Sequence, residues 1–191
     1  MKKLIIPLFA FFLLGCADDP LPKPKAYLRL EYPQPDYKRT QLDIPFTFDK
    51  NDLSKSISTI KRNATDGSIG VDVEYPNMKG TIYLSYKKVT DSNLTDLLID
   101  AQNLTQKHTM KADEIEGDIY ENPSKKVYGM FYEVGGDAAS QSQFYVTDSI
   151  NHFLSGSLYF YAKPNYDSIY PAAVYLKNDI KRIMESLEWK N

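Results

Sequence analysis

No disulfide can form within this chain, because its 191 residues include a single cysteine, Cys16. Histidine is almost as scarce, with His108 and His152 far apart in sequence. Structural zinc sites draw on several Cys or His ligands at matched spacing, and these two histidines offer no such pattern. The chain lacks a Gly-x-Ser-x-Gly elbow and a Gly-x-x-x-x-Gly-Lys phosphate loop, so neither nucleophile nor nucleotide chemistry is signalled. Charge of one sign is also missing. Lys and Arg number 23 against 25 Asp and Glu, for a net charge of −2. Without a basic stripe there is no footprint for nucleic acid, and without a polybasic segment none for anionic lipid. Long apolar runs are confined to Leu4 through Leu14, which falls short of the ~20 residues that span a bilayer.

That run is nevertheless informative. Lys2 and Lys3 precede it, and Leu13-Leu14-Gly15-Cys16 closes it. A cationic start, an apolar middle and a small residue at the end form an export signal. Gly15 before Cys16 suits bacterial lipoprotein processing, in which the Cys16 thiol takes a diacylglyceryl group and cleavage falls between the two residues. The expected product begins at a lipid-bearing Cys16 and carries no thiol. Two or three acyl chains hold a membrane stably, where one binds reversibly. Loss of Lys2 and Lys3 makes the remaining chain more acidic.

Residues 16–25 read as the lipidated cysteine and an extended tether, since Pro20, Pro22 and Pro24 recur through it. Asp18 and Asp19 can act as sorting residues or simply solvate the linker. Residues 26–191 are expected to form one domain. Ala26-Tyr27-Leu28-Arg29-Leu30 alternates like a strand, and Pro33 and Pro35 end it. Ile44 to Phe48 reads as a short edge strand around Pro45, and Ser56–Lys61 as a weaker one. Ile69, Val71, Val73 and Tyr75 share one face of a strand; Ile82, Leu84 and Tyr86 share a face of the next. Residues 76–80 join them as a hairpin.

The period then changes. Leu94, Leu97, Leu98, Ala101, Leu104 and His108 recur at helical steps, with Ser92 or Asn93 as the cap. Strands follow at Lys126–Val134, Gln143–Asp148 and His152–Ala162. A last helix carries Ala173, Leu176, Ile180, Ile183 and Leu187 on one stripe. Asp167 or Ser168 would cap it, Pro171 would sit in its first turn, and Trp189 lies just past it. Short joins between strands imply antiparallel pairing. The expected fold is α+β, a sandwich of one antiparallel sheet of about six or seven strands with two main helices. Tyr83, Tyr86, Tyr128, Tyr132, Tyr145, Tyr159 and Tyr161 fall on strands. Many are expected on the less buried sheet face, either as a contact surface or through strand propensity alone.

His108, Lys111 and Asp113 form the one candidate functional surface. A base, a cation and a carboxylate so close together are the ingredients of an acid–base site. A histidine at a helix end more often bonds to backbone. An envelope hydrolase or small-ligand module built on the His108 region is therefore the rival to a contact protein. No catalytic residue, metal or cofactor is assigned.

Several ordered segments resemble one family. They include Pro22 to Pro33, Tyr83-Leu84-Ser85-Tyr86, Lys107 to Asp113, Asn122 to Gly129, Phe144 to Asp148, His152 to Phe160 and the final helix to Trp189. Together they resemble the gliding-motility lipoprotein GldD of Bacteroidota. The resemblance implies an accessory protein of gliding motility and type IX secretion; with the lipid on Cys16 it is expected to be membrane-anchored and periplasm-facing, the outer membrane favoured over the inner. Its implied partners are other lipoproteins and envelope components of that machinery. It implies no catalytic residues.

Overall fold

Residues Ile69–Tyr75 alternate strictly between buried and half-buried, and that period of two shapes the whole domain. A computed structural model describes residues 30–57, 59–107, 111–161 and 166–190. The expected signal peptide, Cys16 and tether, the strand at 26–30 apart from Leu30, and His108 lie outside the described residues.

The strands are β1 (Tyr37–Arg39), β2 (Phe46–Thr47), β3 (Asp49–Asn51), β4 (Ile60–Arg62), β5 (Ile69–Tyr75), β6 (Gly80–Lys88), β7 (Ala112–Asn122), β8 (Val127–Gly136), β9 (Ser140–Thr147), β10 (His152–Phe160) and β11 (Glu188–Trp189). The helices are α1 (Leu94–Gln106) and α2 (Tyr166–Ser186). Seven strands form one sheet in the order β4-β5-β6-β10-β9-β8-β7, with every pair antiparallel. The α+β sandwich expected from the sequence is the observed fold.

The β5–β6 hairpin is the one anticipated. Its loop is a 3-10 turn at Pro76–Met78, closed by Lys79 in the left-handed region at φ 52°. The β7–β8 hairpin repeats the device with Pro123–Lys125 and Lys126 at φ 53°. In both, the proline fixes the first φ and its missing N–H costs nothing at a turn start.

Each sheet face has its own cover. Val71, Val73, Ile82, Leu84, Phe144, Val146, Leu154 and Leu158 face α2, where Leu176, Ile180, Ile183 and Met184 close the main core. The alternate set, Tyr145 and Phe153 among them, meets Leu97 of α1. Thus α1 crosses the second face while carrying the chain from β6 to the far edge at β7. The interior strand β9 is buried along its full length. At Gly129 in β8 the backbone of β9 approaches so closely that a Cβ would lie 1.8 Å from the Tyr145 carbonyl oxygen.

Several expectations need correction. Pro171 lies inside α2, not in its first turn, because the helix already runs from Tyr166. The residue four before Pro171 is Asp167, whose carbonyl thereby loses its helical donor. Asn93 holds the N-cap position but caps nothing. Its side chain accepts from the Thr90 N–H at 2.8 Å and donates to the Lys88 carbonyl at 3.0 Å. The stretch expected as a strand at 44–48 pairs as β2 with β11 in a small separate sheet, Phe46 opposite Trp189. The strand expected at 56–61 is shorter and later, at Ile60–Arg62. The eleven-residue strand β7 was not anticipated at all.

Candidate functional site

Helix α2 places one acidic residue in its apolar stripe. Asp179 is 1% exposed, and a carboxylate at such depth requires donors. The Tyr37 hydroxyl donates to Asp179 Oδ1 at 2.6 Å. Asn51 Nδ2 donates to Oδ2 at 2.9 Å and also to the Tyr175 hydroxyl at 3.1 Å. Tyr175 in turn donates to the Pro33 carbonyl at 2.9 Å, and its ring packs 5.2 Å from that of Tyr32. Burial pushes the Asp179 carboxyl above the usual carboxylate range, while the Tyr37 and Asn51 bonds pull it back. Burial, then the bond to Asp179, pushes the Tyr37 hydroxyl up and keeps it a donor. Tyr75 Oη is buried in the same field, yet among the described residues its geometry gives it no hydrogen-bond partner. It is an electrostatic neighbour of Asp179, not a third donor.

Around this knot the N-terminal segment is fastened to the end of α2. Arg39 Nη1 donates to the Ser186 carbonyl at 2.5 Å, the Asp49 N–H donates to Ser186 Oγ at 2.8 Å, and Arg182 pairs with Asp49 at 2.5 Å. Arg39 and Lys125 both reach Glu188, at 2.5 and 3.0 Å. These contacts bind elements and present no reacting group.

The sheet face shared by α1 carries most of the strand tyrosines. Tyr145 is buried beneath α1, with Tyr132 packed beside it. Beyond the helix the face is open. There Tyr83 and Tyr161 share a hydrogen bond of 2.5 Å between hydroxyls, and the Tyr83 and Tyr159 rings meet edge to face at 5.9 Å. The bond to Tyr161 pushes the Tyr83 hydroxyl up to about 12. The neighbouring Lys61 bonds Asp72 at 2.5 Å. Tyr86 departs from this group: it is buried on the core face against Phe46.

Of the candidate surface, His108 lies outside the described residues. Lys111 and Asp113 are exposed, and Asp113 sits at the β-bulge between Ala112 and Glu114. An open depression of about 410 Å³ lies between Asp113, Glu114, Ile115, Tyr132 and Gln106 at the end of α1. Lys111 is not part of its lining. Among the described residues, no group of three or more His, Cys, Asp or Glu side chains could hold a metal ion.

His152 has a clearer place. Its Nδ1 lies 2.9 Å from the Tyr86 hydroxyl, and its ring stacks on Trp189 at 4.9 Å. Asp148 Oδ1 accepts the N–H groups of Ile150, Asn151 and His152, so this carboxylate closes a turn. Burial holds the His152 imidazole below its ordinary value, against the pull of Asp148. Its contribution is complete above the unfolded pKa of about 6.5 and is lost as pH falls through the lower folded value. The raised Asp179 contributes with the opposite slope, gaining as pH falls. His152→Phe keeps the stack and removes the titration. Thermal midpoints between pH 7.5 and 5.5 should therefore fall more for the native chain than for this variant. Parallel curves would show that His152 does not titrate as placed.

Sequence inspection missed Asp179 and the acidic β7. The signal for the first was an acidic residue set between Leu176 and Ile180 on an apolar stripe; for the second it was five acidic residues between 113 and 121. Among the described residues, no helix is long and apolar enough to cross a membrane. No match was found among curated proteins or among solved structures. The family model described as gliding motility lipoprotein GldD matches residues 17–189. That span holds every element from β1 to β11 and starts beside Cys16, and the chain belongs to the GldD family of gliding motility lipoproteins.

Proposed function

We propose that this protein is a non-enzymatic domain, held by lipid on Cys16 and facing the periplasm, that supports the gliding and type IX secretion machinery through protein contacts. The outer membrane is the favoured location, and other lipoproteins and envelope components of the machinery are the partners. The observation that carries the reading is the family match over residues 17–189. The layout before it adds support, since Lys2, Lys3, the apolar run and Gly15-Cys16 form a lipoprotein signal. Confinement to a membrane raises the effective concentration of a partner on the same surface, so each contact can be weak.

Cys16→Ala in the cell tests this directly. The expected result is loss of the protein from the membrane fraction, with gliding and secretion reduced to the level of a deletion strain. Unchanged fractionation, gliding and secretion would overturn the anchored role.

A further inference from the structure

Strand β7 ends the seven-stranded sheet, and among the described residues it pairs on one side only, with β8. It is eleven residues long, whereas the opposite edge, β4, has three. An edge of that length, open among the described residues, presents a row of backbone donors and acceptors to any extended segment that reaches it.

Its side chains divide by register. Glu116 stands opposite Glu133 and Asp118 opposite Phe131, on the face of α2. Ile119 stands opposite Met130, on the face of α1. Ile119 is 74% exposed, the most exposed large apolar side chain among the described residues. The strand contains Asp113, Glu114, Glu116, Asp118 and Glu121 and no basic residue. Directly opposed like charges are unfavourable, and α2 relieves Glu133 through Lys177 at 2.6 Å. Lys181 lies over the Phe131 ring at 5.7 Å. The two helix lysines leave the edge with a large acidic excess.

The geometry points to β7 as a docking edge for an extended, cationic segment of a partner protein, which adds an eighth strand to the sheet. Its Lys or Arg residues at alternate positions face Glu116 and Asp118, and its intervening apolar residues cover Ile119. Backbone pairing supplies affinity, and the alternating side chains supply selection. A second copy of this chain fits badly, because β7 against β7 would bring carboxylate against carboxylate. This inference rests on the protein-contact reading proposed above and names the kind of segment that would be contacted.

The test uses the acylated full chain in zwitterionic detergent and three capped peptides: alternating Lys-Val, alternating Glu-Val, and a block peptide with all lysines before all valines. The alternating Lys-Val peptide is expected to bind, to weaken with added salt, and to slow amide exchange in β7. The double change Glu116→Lys and Asp118→Lys alters two exposed side chains and should leave the thermal midpoint unchanged. It should weaken Lys-Val binding at least ~10-fold and transfer the preference to Glu-Val. Equal binding of the alternating and block peptides would overturn the inference, as would protection that omits β7. The double variant in cells separates the two readings. Inverted peptide preference with normal gliding leaves the edge intact and removes its link to the machinery.

Discussion

Gly129→Ala is expected to leave little folded protein at growth temperature. The new Cβ would lie 1.8 Å from the Tyr145 carbonyl oxygen, 2.8 Å from its carbon and 2.9 Å from the Val146 Cα. All three are backbone atoms of β9, so no rotamer change relieves the overlap. Either β8 and β9 separate, which breaks an interior ladder, or the pairing slips. A one-residue slip would turn Phe131 and Val127 out of the core and Met130 and Tyr128 into it. A cost above ~4 kcal/mol is expected from such a change, against a total stability of about 5–15 kcal/mol for a domain. Soluble yield and thermal unfolding report it. Gly135→Ala is the control, since the nearest atom to its Cβ is the Glu114 carbonyl oxygen at 3.9 Å. A native midpoint for Gly129→Ala would mean that β8 and β9 do not pack as described.

Asp179→Ala is expected to be the next most damaging change. It removes the acceptor for Tyr37 and Asn51 in a site that is 1% exposed. Asn51 Nδ2 then keeps only the Tyr175 hydroxyl, the half-buried Tyr37 hydroxyl loses its acceptor, and a loss of about 1–3 kcal/mol follows. The damage should be directional. The segment from Tyr32 to Asn51 should become open to proteolysis before the central sheet does, because Asp179 is the buried one of its ties to α2 and the rest, from Arg39 and Asp49 to Ser186 and Arg182, lie nearer solvent. Asp179→Asn retains an acceptor oxygen and no longer buries a charge, so it should lose less than the alanine variant. Denaturant midpoints and the order of proteolytic cuts check both parts. Equal stability of the native chain and Asp179→Ala would sink the account of the knot.

The parts of the fold that the sequence revealed are those with two-sided contrast. Ile69, Val71, Val73 and Tyr75 alternate against Gly70, Asp72 and Glu74, and the pattern can be read without knowing the partner. Leu176, Ile180 and Ile183 likewise define one helical stripe. Strand β7 lacks contrast because it is an edge with little burial on either side. Ile115 and Ile119 are four apart in a run of acids, a spacing that suits a helix as readily as a strand. The small β2–β11 sheet pairs two residues with two, too few for any period. Asp179 was hidden for another reason: its partners Tyr37 and Asn51 are 142 and 128 positions away. Of the candidate surface, Lys111 lies just before β7 and Asp113 within it, both exposed, while His108 is outside the described residues. The open tyrosine face was anticipated in part, with Tyr86 the exception that packs into the core.

The pairing of β2 with β11 and the knot at Asp179 also set an order of events. A chain emerging from its N-terminus first presents Tyr37 to Asn51 long before α2 and Trp189 exist to receive them. Residues near 188 close a segment near 46, a contact of long sequence separation. Until Glu188 and Trp189 are in place, β2 lacks its strand partner, although Phe46 and Phe48 already have the core residues of the sheet and α2 to pack against. Loss of Glu188 and Trp189 would therefore leave β2 without its strand partner, while the Asp179 knot would still hold Tyr37 and Asn51 to α2.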